Sequence, residues 1–396
     1  MAGCLPAESK HGFACASPAL GPRHTRSGAA AVSPSPLLQL LLLAGTLASI
    51  PLGWWWLKRR HEQPRARLAA LTLLTIFLTF DLIAFGAFTR LTDSGLGCPD
   101  WPGCYGQSTP LAAQDHIRKA EAAMPSGPVT WNKAWIEMLH RYLAMVVGAL
   151  ILAIAALSWR HRQALPHALS LPIFTLVWVI LQGLFGKYTV TWKLYPAIVS
   201  LHLLGAMGLL ALLVVQKRAF DGRYWGLSHA QRLASMAVLG LLLVQVALGA
   251  WVSTNYAVLA CQSFPRCQPN VWWPEADWAQ GFTVLRALGH DAQGGYISFS
   301  ALVAIHLAHR SFALVAAAGM VALGWALHGH ACRAVRVHAR WLLSLLLLQI
   351  ATGTANVVLN WPLLGALCHT AGAAALVGVL VSLVAPIPAT ARLGST

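Results

Sequence analysis

Residues 86–106 read GAFTRLTDSGLGCPDWPGCYG, and residues 249–267 read GAWVSTNYAVLACQSFPRC. In both, a glycine near the end of an apolar run is followed twelve positions later by a cysteine, and a second cysteine comes six positions after that. The agreement continues downstream. His140-Arg141 answers to His309-Arg310, and Gln182 precedes His202 by twenty residues just as Gln349 precedes His369. The offset between the copies drifts only between 163 and 169. Spacing kept over so many landmarks marks a duplicated chain.

Composition sets the environment of the two copies. The 396 residues are 57% hydrophobic and only 10% charged, too little polar surface for a soluble globule of this length. Apolar runs of about 20 residues, enough to cross a hydrocarbon core of roughly 30 Å, lie near 37–57, 68–89, 138–158, 168–186, 196–216, 233–253, 303–327, 339–358 and 363–385. The expected fold is an all-α integral membrane protein in the lipid bilayer, with two pseudo-symmetric four-helix transmembrane bundles in tandem and one extra N-terminal transmembrane helix. Its expected divisions are a tail without fold (1–36), an added anchor and basic loop (37–67), a first bundle (68–216), a cytoplasmic linker (217–232), a second bundle (233–385) and a cytoplasmic tail (386–396).

A net charge of +16 raises nucleic acid as a partner, but the cations sit in short connections and form no patch or stripe. Lys58, Arg59, Arg60, Arg65 and Arg67 crowd the first connection, Lys217, Arg218, Arg223 and Arg232 the fifth, and Arg333, Arg336 and Arg340 the seventh. The positive-inside rule puts these on the cytoplasmic side. The two long connections, about 90–136 and 254–302, then fall on the opposite, oxidising side with both cysteine pairs. There Cys98/Cys104 and Cys261/Cys267 are free to form disulfides. Zinc is the weaker reading, because neither loop has a Cys-x-x-Cys pair or a histidine cluster at finger spacing.

Each of the runs holding His140, His202, His309 and His369 enters from the loop side and has its histidine near its start. The four imidazoles therefore share one depth. Parallel helices with histidines at equal depth can hold a planar iron porphyrin between them, one bis-histidine site in each copy. Arg141 and Arg310 follow their histidines at the end where positive charge is not expected, which asks for an anion: haem propionates or lipid phosphates. Glu137 stands three residues before His140, on the same helix face, whereas His306 stands three before His309 as a second-shell candidate. One carboxylate beside one site points to chemistry in the first copy and electron passage in the second. Gln182 and Gln349 fit helix bridging, and Gly183, Gly186 and Gly353 allow close approach.

The stretch 86–106 closely resembles the first outer loop of haem A synthases, and the resemblance extends to Glu137-Met-Leu-His-Arg141, His202, the second cysteine loop, His306-Leu-Ala-His-Arg310 and His369. It covers roughly residues 68–385 and leaves the first helix outside. What it implies is oxidation of the C8 methyl of haem O, through hydroxylated intermediates, to the formyl group of haem A for terminal oxidases. It also implies a haem b cofactor on His309 and His369, substrate haem O near His140 and His202, a catalytic Glu137, and an activity-linked pair Cys98-Cys104. Implied partners are haem O synthase and the terminal oxidase assembly machinery, an electron acceptor, and further copies of the chain. A bacterial inner membrane is the expected location, with the mitochondrial inner membrane as the alternative. The main rival function, using the same histidines, is a bis-histidine diheme b-type cytochrome that relays electrons without substrate chemistry.

Overall fold

The computed structural model describes residues 35–163, 169–222 and 225–385. The expected tails, 1–34 of the first and all of 386–396, lie outside the described residues, as does Arg223. The chain forms α1 (Pro36–Arg59), α2 (Pro64–Leu91), α3 (Gln114–Ala123), α4 (Trp131–Arg160), α5 (Ser170–Thr191), α6 (Pro196–Asp221), α7 (His229–Thr254), α8 (Trp278–Gly281), α9 (Phe299–His328), α10 (Arg333–Val358) and α11 (Leu363–Val384). All but α3 and α8 are long and apolar enough to cross a membrane, giving nine such helices among the described residues. No strand accompanies them there, only isolated bridges. This is a multi-pass, all-α membrane protein.

Several helices begin earlier than their apolar runs. α4 starts at Trp131, not near 138, because Thr130 caps it by accepting the Lys133 N–H at 3.4 Å. α9 starts at Phe299, not near 303, with Ser298 accepting the Ala301 N–H at 3.2 Å. Such caps satisfy amides that have no partner inside the helix, so both helices start ahead of their apolar runs. α5 likewise runs on to Thr191, past the end of its apolar run.

The helices pack as two similar sets. α2 lies against α4 and α6 with α5 closing the first set, and α7 lies against α9 and α11 with α10 closing the second. The first and last helices of each set also pack on those of the other, α2 on α11 and α6 on α7. A single buried cluster results, including Ile83, Met207, Leu210, Val246, Met320, Leu346 and Leu380. In a bilayer this close packing, not exclusion of water, holds helices together. The linker thus separates the copies in sequence, while their cores are continuous.

Turns are copied where residue types are not. Asp93 and its counterpart Tyr256 both take a left-handed backbone, φ 48° and 55°, and so do Lys193-Leu194 and Asn360-Trp361 in the other pair of turns. Asp93 and Tyr256 also meet: the Tyr256 hydroxyl donates to the Asp93 carboxylate at 2.6 Å. Beside them Arg90 donates to the carbonyl of Ser253, its own counterpart, at 2.7 Å and covers the Tyr256 ring at 4.0 Å. Burial pushes the Tyr256 phenol above its ordinary value, with Arg90 opposing and Asp93 adding.

The extra helix α1 packs mainly on α4, burying Leu40, Ala44, Ala48 and Trp55. Its Gln39 accepts a hydrogen bond from Ser108 of the first long loop at 2.7 Å. It is therefore a wall of the first set as well as an anchor.

Candidate functional site

Every one of the four histidines lies against a glycine of the neighbouring helix. A Cβ on Gly86 would stand 3.0 Å from His140 Nε2, and one on Gly186 would be 3.5 Å from His202 Cε1. In the second set the corresponding distances are 3.0 Å from Gly249 to His309 Cε1 and 3.2 Å from Gly353 to His369 Cε1. Glycine is what lets each imidazole lie on a helix backbone.

The members of each pair lie near one another. His309 and His369 have ring centroids 6.5 Å apart with planes inclined at 78°, and His140 lies within electrostatic reach of His202. An iron held between two imidazoles puts their centroids on the order of 6 Å apart, two metal–nitrogen bonds of about 2 Å and two ring radii. The second pair thus has the separation an axially ligated haem iron requires. No group of three or more histidine, cysteine or carboxylate ligands occurs among the described residues, so a site on either pair suits a metal whose remaining ligands come with it, as porphyrin nitrogens do.

The other ring nitrogens are treated unequally. His309 Nδ1 lies 3.1 Å from Gln245 Nε2, which also donates to the His309 carbonyl at 3.2 Å. His369 Nδ1 lies 3.0 Å from the Thr352 hydroxyl, and Gln349 donates to the His369 carbonyl at 2.9 Å. In the first set His202 Nδ1 is buried without a partner, and His140 makes no hydrogen bond among the described residues, facing the Phe85 ring at 6.3 Å.

Above each pair sits a disulfide loop, closed by Cys98–Cys104 in one copy and Cys261–Cys267 in the other. The first is clasped from below. Glu137, only 4% exposed, accepts the Cys98 N–H at 2.7 Å and pairs with Arg141 one turn on. Arg141 in turn donates to the carbonyls of Asp100 (2.9 Å), Pro102 (3.2 Å) and Gly103 (2.5 Å). In the second loop the Cys261 N–H meets His306 Nδ1 at 3.4 Å, and Arg310 donates to the carbonyls of Ser263 (2.9 Å) and Arg266 (3.4 Å). The same clasp is built twice, once on a carboxylate and once on an imidazole.

Both arginines, expected to seek propionates or lipid phosphates, thus turn their guanidiniums to loop carbonyls. A buried cluster under the first loop joins Cys98, Cys104, Met138 and Tyr142 to Ile117 of α3 and Leu40 of α1. Tyr142 donates to the Ser108 carbonyl at 2.7 Å. Burial pushes the Tyr105 phenol up, with Asp100 adding to it.

Gln245 and Thr352 were not singled out from sequence, although a signal for the first exists. Gln182-x-x-x-Gly186, Gln245-x-x-x-Gly249 and Gln349-x-x-x-Gly353 place a glutamine one turn from each histidine-facing glycine, and α2 alone breaks the pattern with Leu82-x-x-x-Gly86.

Residues 69–381 match the family model COX15-CtaA, described as cytochrome oxidase assembly protein. Among similar proteins, one named heme A synthase from Shewanella oneidensis is 37% identical over 322 residues, 80% of this chain and 96% of that protein. Proteins of the same name from Shouchella clausii and Bacillus licheniformis are 27% and 28% identical, covering 74% and 78% of this chain and 86% and 91% of their own lengths.

Proposed function

The chain belongs to the COX15-CtaA family of cytochrome oxidase assembly proteins, and we propose that it works as a haem A synthase, an oxidoreductase that converts the C8 methyl of haem O to a formyl group through hydroxylated intermediates. The observation that carries the assignment of chemistry to one half is the buried Glu137 beside His140, where the second half has His306.

In this reading His140 and His202 hold the substrate haem O, and His309 and His369 hold a resident haem b. A bound haem iron supplies one-electron exchange at the depth of the histidines. The chain's own residues do the rest. Going from methyl to formyl with water as the oxygen source (R–CH3 + H2O → R–CHO + 4 H+ + 4 e−) releases protons to the chain and electrons to the haem iron and an external acceptor, so a proton acceptor must stand beside the substrate. Glu137 carries that role, with one carboxylate oxygen held by the Cys98 amide and the other paired with Arg141. Arg141 keeps the carboxylate oriented and ties it to the loop, and the disulfide loop screens the reacting edge from water. Electrons leave through the second half toward an acceptor. The expected setting is a bacterial inner membrane with both loops on the outer side, beside a haem O synthase and the oxidase assembly machinery.

Expression with and without a haem O supply, followed by extraction and identification of the haems, tests this. Haem A or a hydroxylated intermediate is expected from the parent, and haem O without product from Glu137→Gln. Unchanged haem b in both halves would instead identify an electron-relaying cytochrome.

A further inference from the structure

The two histidine pairs differ in what meets their Nδ1 nitrogens: Gln245 and Thr352 in the second, with Gln245 also 3.5 Å from His309 Nε2, and no hydrogen-bond partner among the described residues for His202 Nδ1 in the first. We propose that Gln245 and Thr352 are positioning residues that make the second half a site that retains its haem, and that their replacement in the first half makes that site one that releases it. The inference rests on the assignment of haem b to His309 and His369.

Thr352 gives the clearest case. Its hydroxyl donates to the Leu348 carbonyl at 2.7 Å, so the oxygen 3.0 Å from His369 Nδ1 is left to accept. That makes Nδ1 the protonated nitrogen and leaves Nε2 bare, the form in which histidine binds a metal. Gln245 is more adaptable. Its amide nitrogen faces His309 Nδ1, while its Oε1 is buried without a partner. Half a turn of the amide would let its oxygen meet a protonated Nδ1, in exchange for the bond to the His309 carbonyl. Both anchors come from the helix that also carries the glycine behind the ring, α7 for His309 and α10 for His369.

At the matching positions the first half has Leu82 and Phe185, which offer no hydrogen bond. There His202 Nδ1 has no partner among the described residues, and His140, beside Gly86 and the Phe85 ring, makes no hydrogen bond there. An imidazole with no outer partner is a weaker base and must be ordered when it takes up metal. The division suits the two tasks: a cofactor stays through many turnovers, whereas a substrate haem enters and its product leaves.

Haem transfer to excess haem-free myoglobin from the purified full chain, followed by visible spectra, tests the proposal. The parent should lose haem in a fast phase removed by His140→Ala and a slow phase removed by His309→Ala. Gln245→Leu and Thr352→Val, alone or together, should speed the slow phase by roughly 10-fold or more. Thr352→Ser should restore it, and Gln245→Glu, a permanent acceptor, should shift the haem midpoint potential to lower values. Leu82→Gln should lengthen the fast phase. A slow phase and midpoint potential that Gln245→Leu and Thr352→Val leave unchanged would overturn the proposal while sparing the haem assignment. A slow phase that survives His309→Ala would overturn the assignment itself, and the proposal with it.

Discussion

The amide of Cys98 rests on a carboxylate and the amide of Cys261 on an imidazole. Around these two contacts almost everything is shared: the disulfide, the arginine one helical turn away, the loop carbonyls it holds, and the histidine below. What differs is charge. Glu137 brings an anion into a buried place and needs Arg141 to stay there, while His306 needs no counter-ion and leaves Arg310 to neutral carbonyls. The loop is held with either group, so holding the loop does not by itself call for an acid in one copy.

The largest test of that contrast moves one residue. Glu137→His installs the second half's own solution, which can still accept the Cys98 amide, and product formation should fall by roughly 10²–10⁴-fold, the usual worth of a positioned acid–base group. The reciprocal His306→Glu should leave haem A yield within a few fold. Extracted haem quantified per protein reads both, and haem A made at the parent rate by Glu137→His would end the distinction between the loops.

A smaller effect separates the arginines. Arg141→Met strands a buried carboxylate and should destabilise the first half by about 3–5 kcal/mol, whereas Arg310→Met removes charge-assisted bonds to carbonyls and should cost about 1.5–3 kcal/mol. Denaturant unfolding in detergent measures both, and equal losses would mean that Glu137 is not held as an ion. Smallest are the glycines. Gly249→Ala and Gly86→Ala each push a Cβ to 3.0 Å from an imidazole and should cost about 1–3 kcal/mol by overpacking. Haem content should drop in each, while Gly45→Ala, with nothing within 4 Å, should leave it unchanged.

The helices were legible because apolar runs of membrane length have few alternatives, and the histidines because polar groups inside such runs stand out. The helix starts were not: the first turns of α4 and α9 lie ahead of the continuous apolar runs and rest on Thr130 and Ser298, and α3 has no apolar run at all. Arg141 was visible as a cation in an unexpected place, but its partners were not. Backbone carbonyls of a folded loop leave no mark on side-chain identity, and Glu137, one turn away, was read for its chemistry alone. Thr352 escaped notice because a threonine in a helix more often bonds only its own backbone, as this one also does.

Arg90 touches Ser253 and Asp93 touches Tyr256, and in each case a position meets its own copy. Contacts of that kind are the ones a two-fold dimer of identical subunits makes at its axis. In such a dimer one gene writes both sides, so an acid beside one haem is an acid beside the other. In a single chain the two sides are written separately, so one copy can carry Glu137 where the other carries His306.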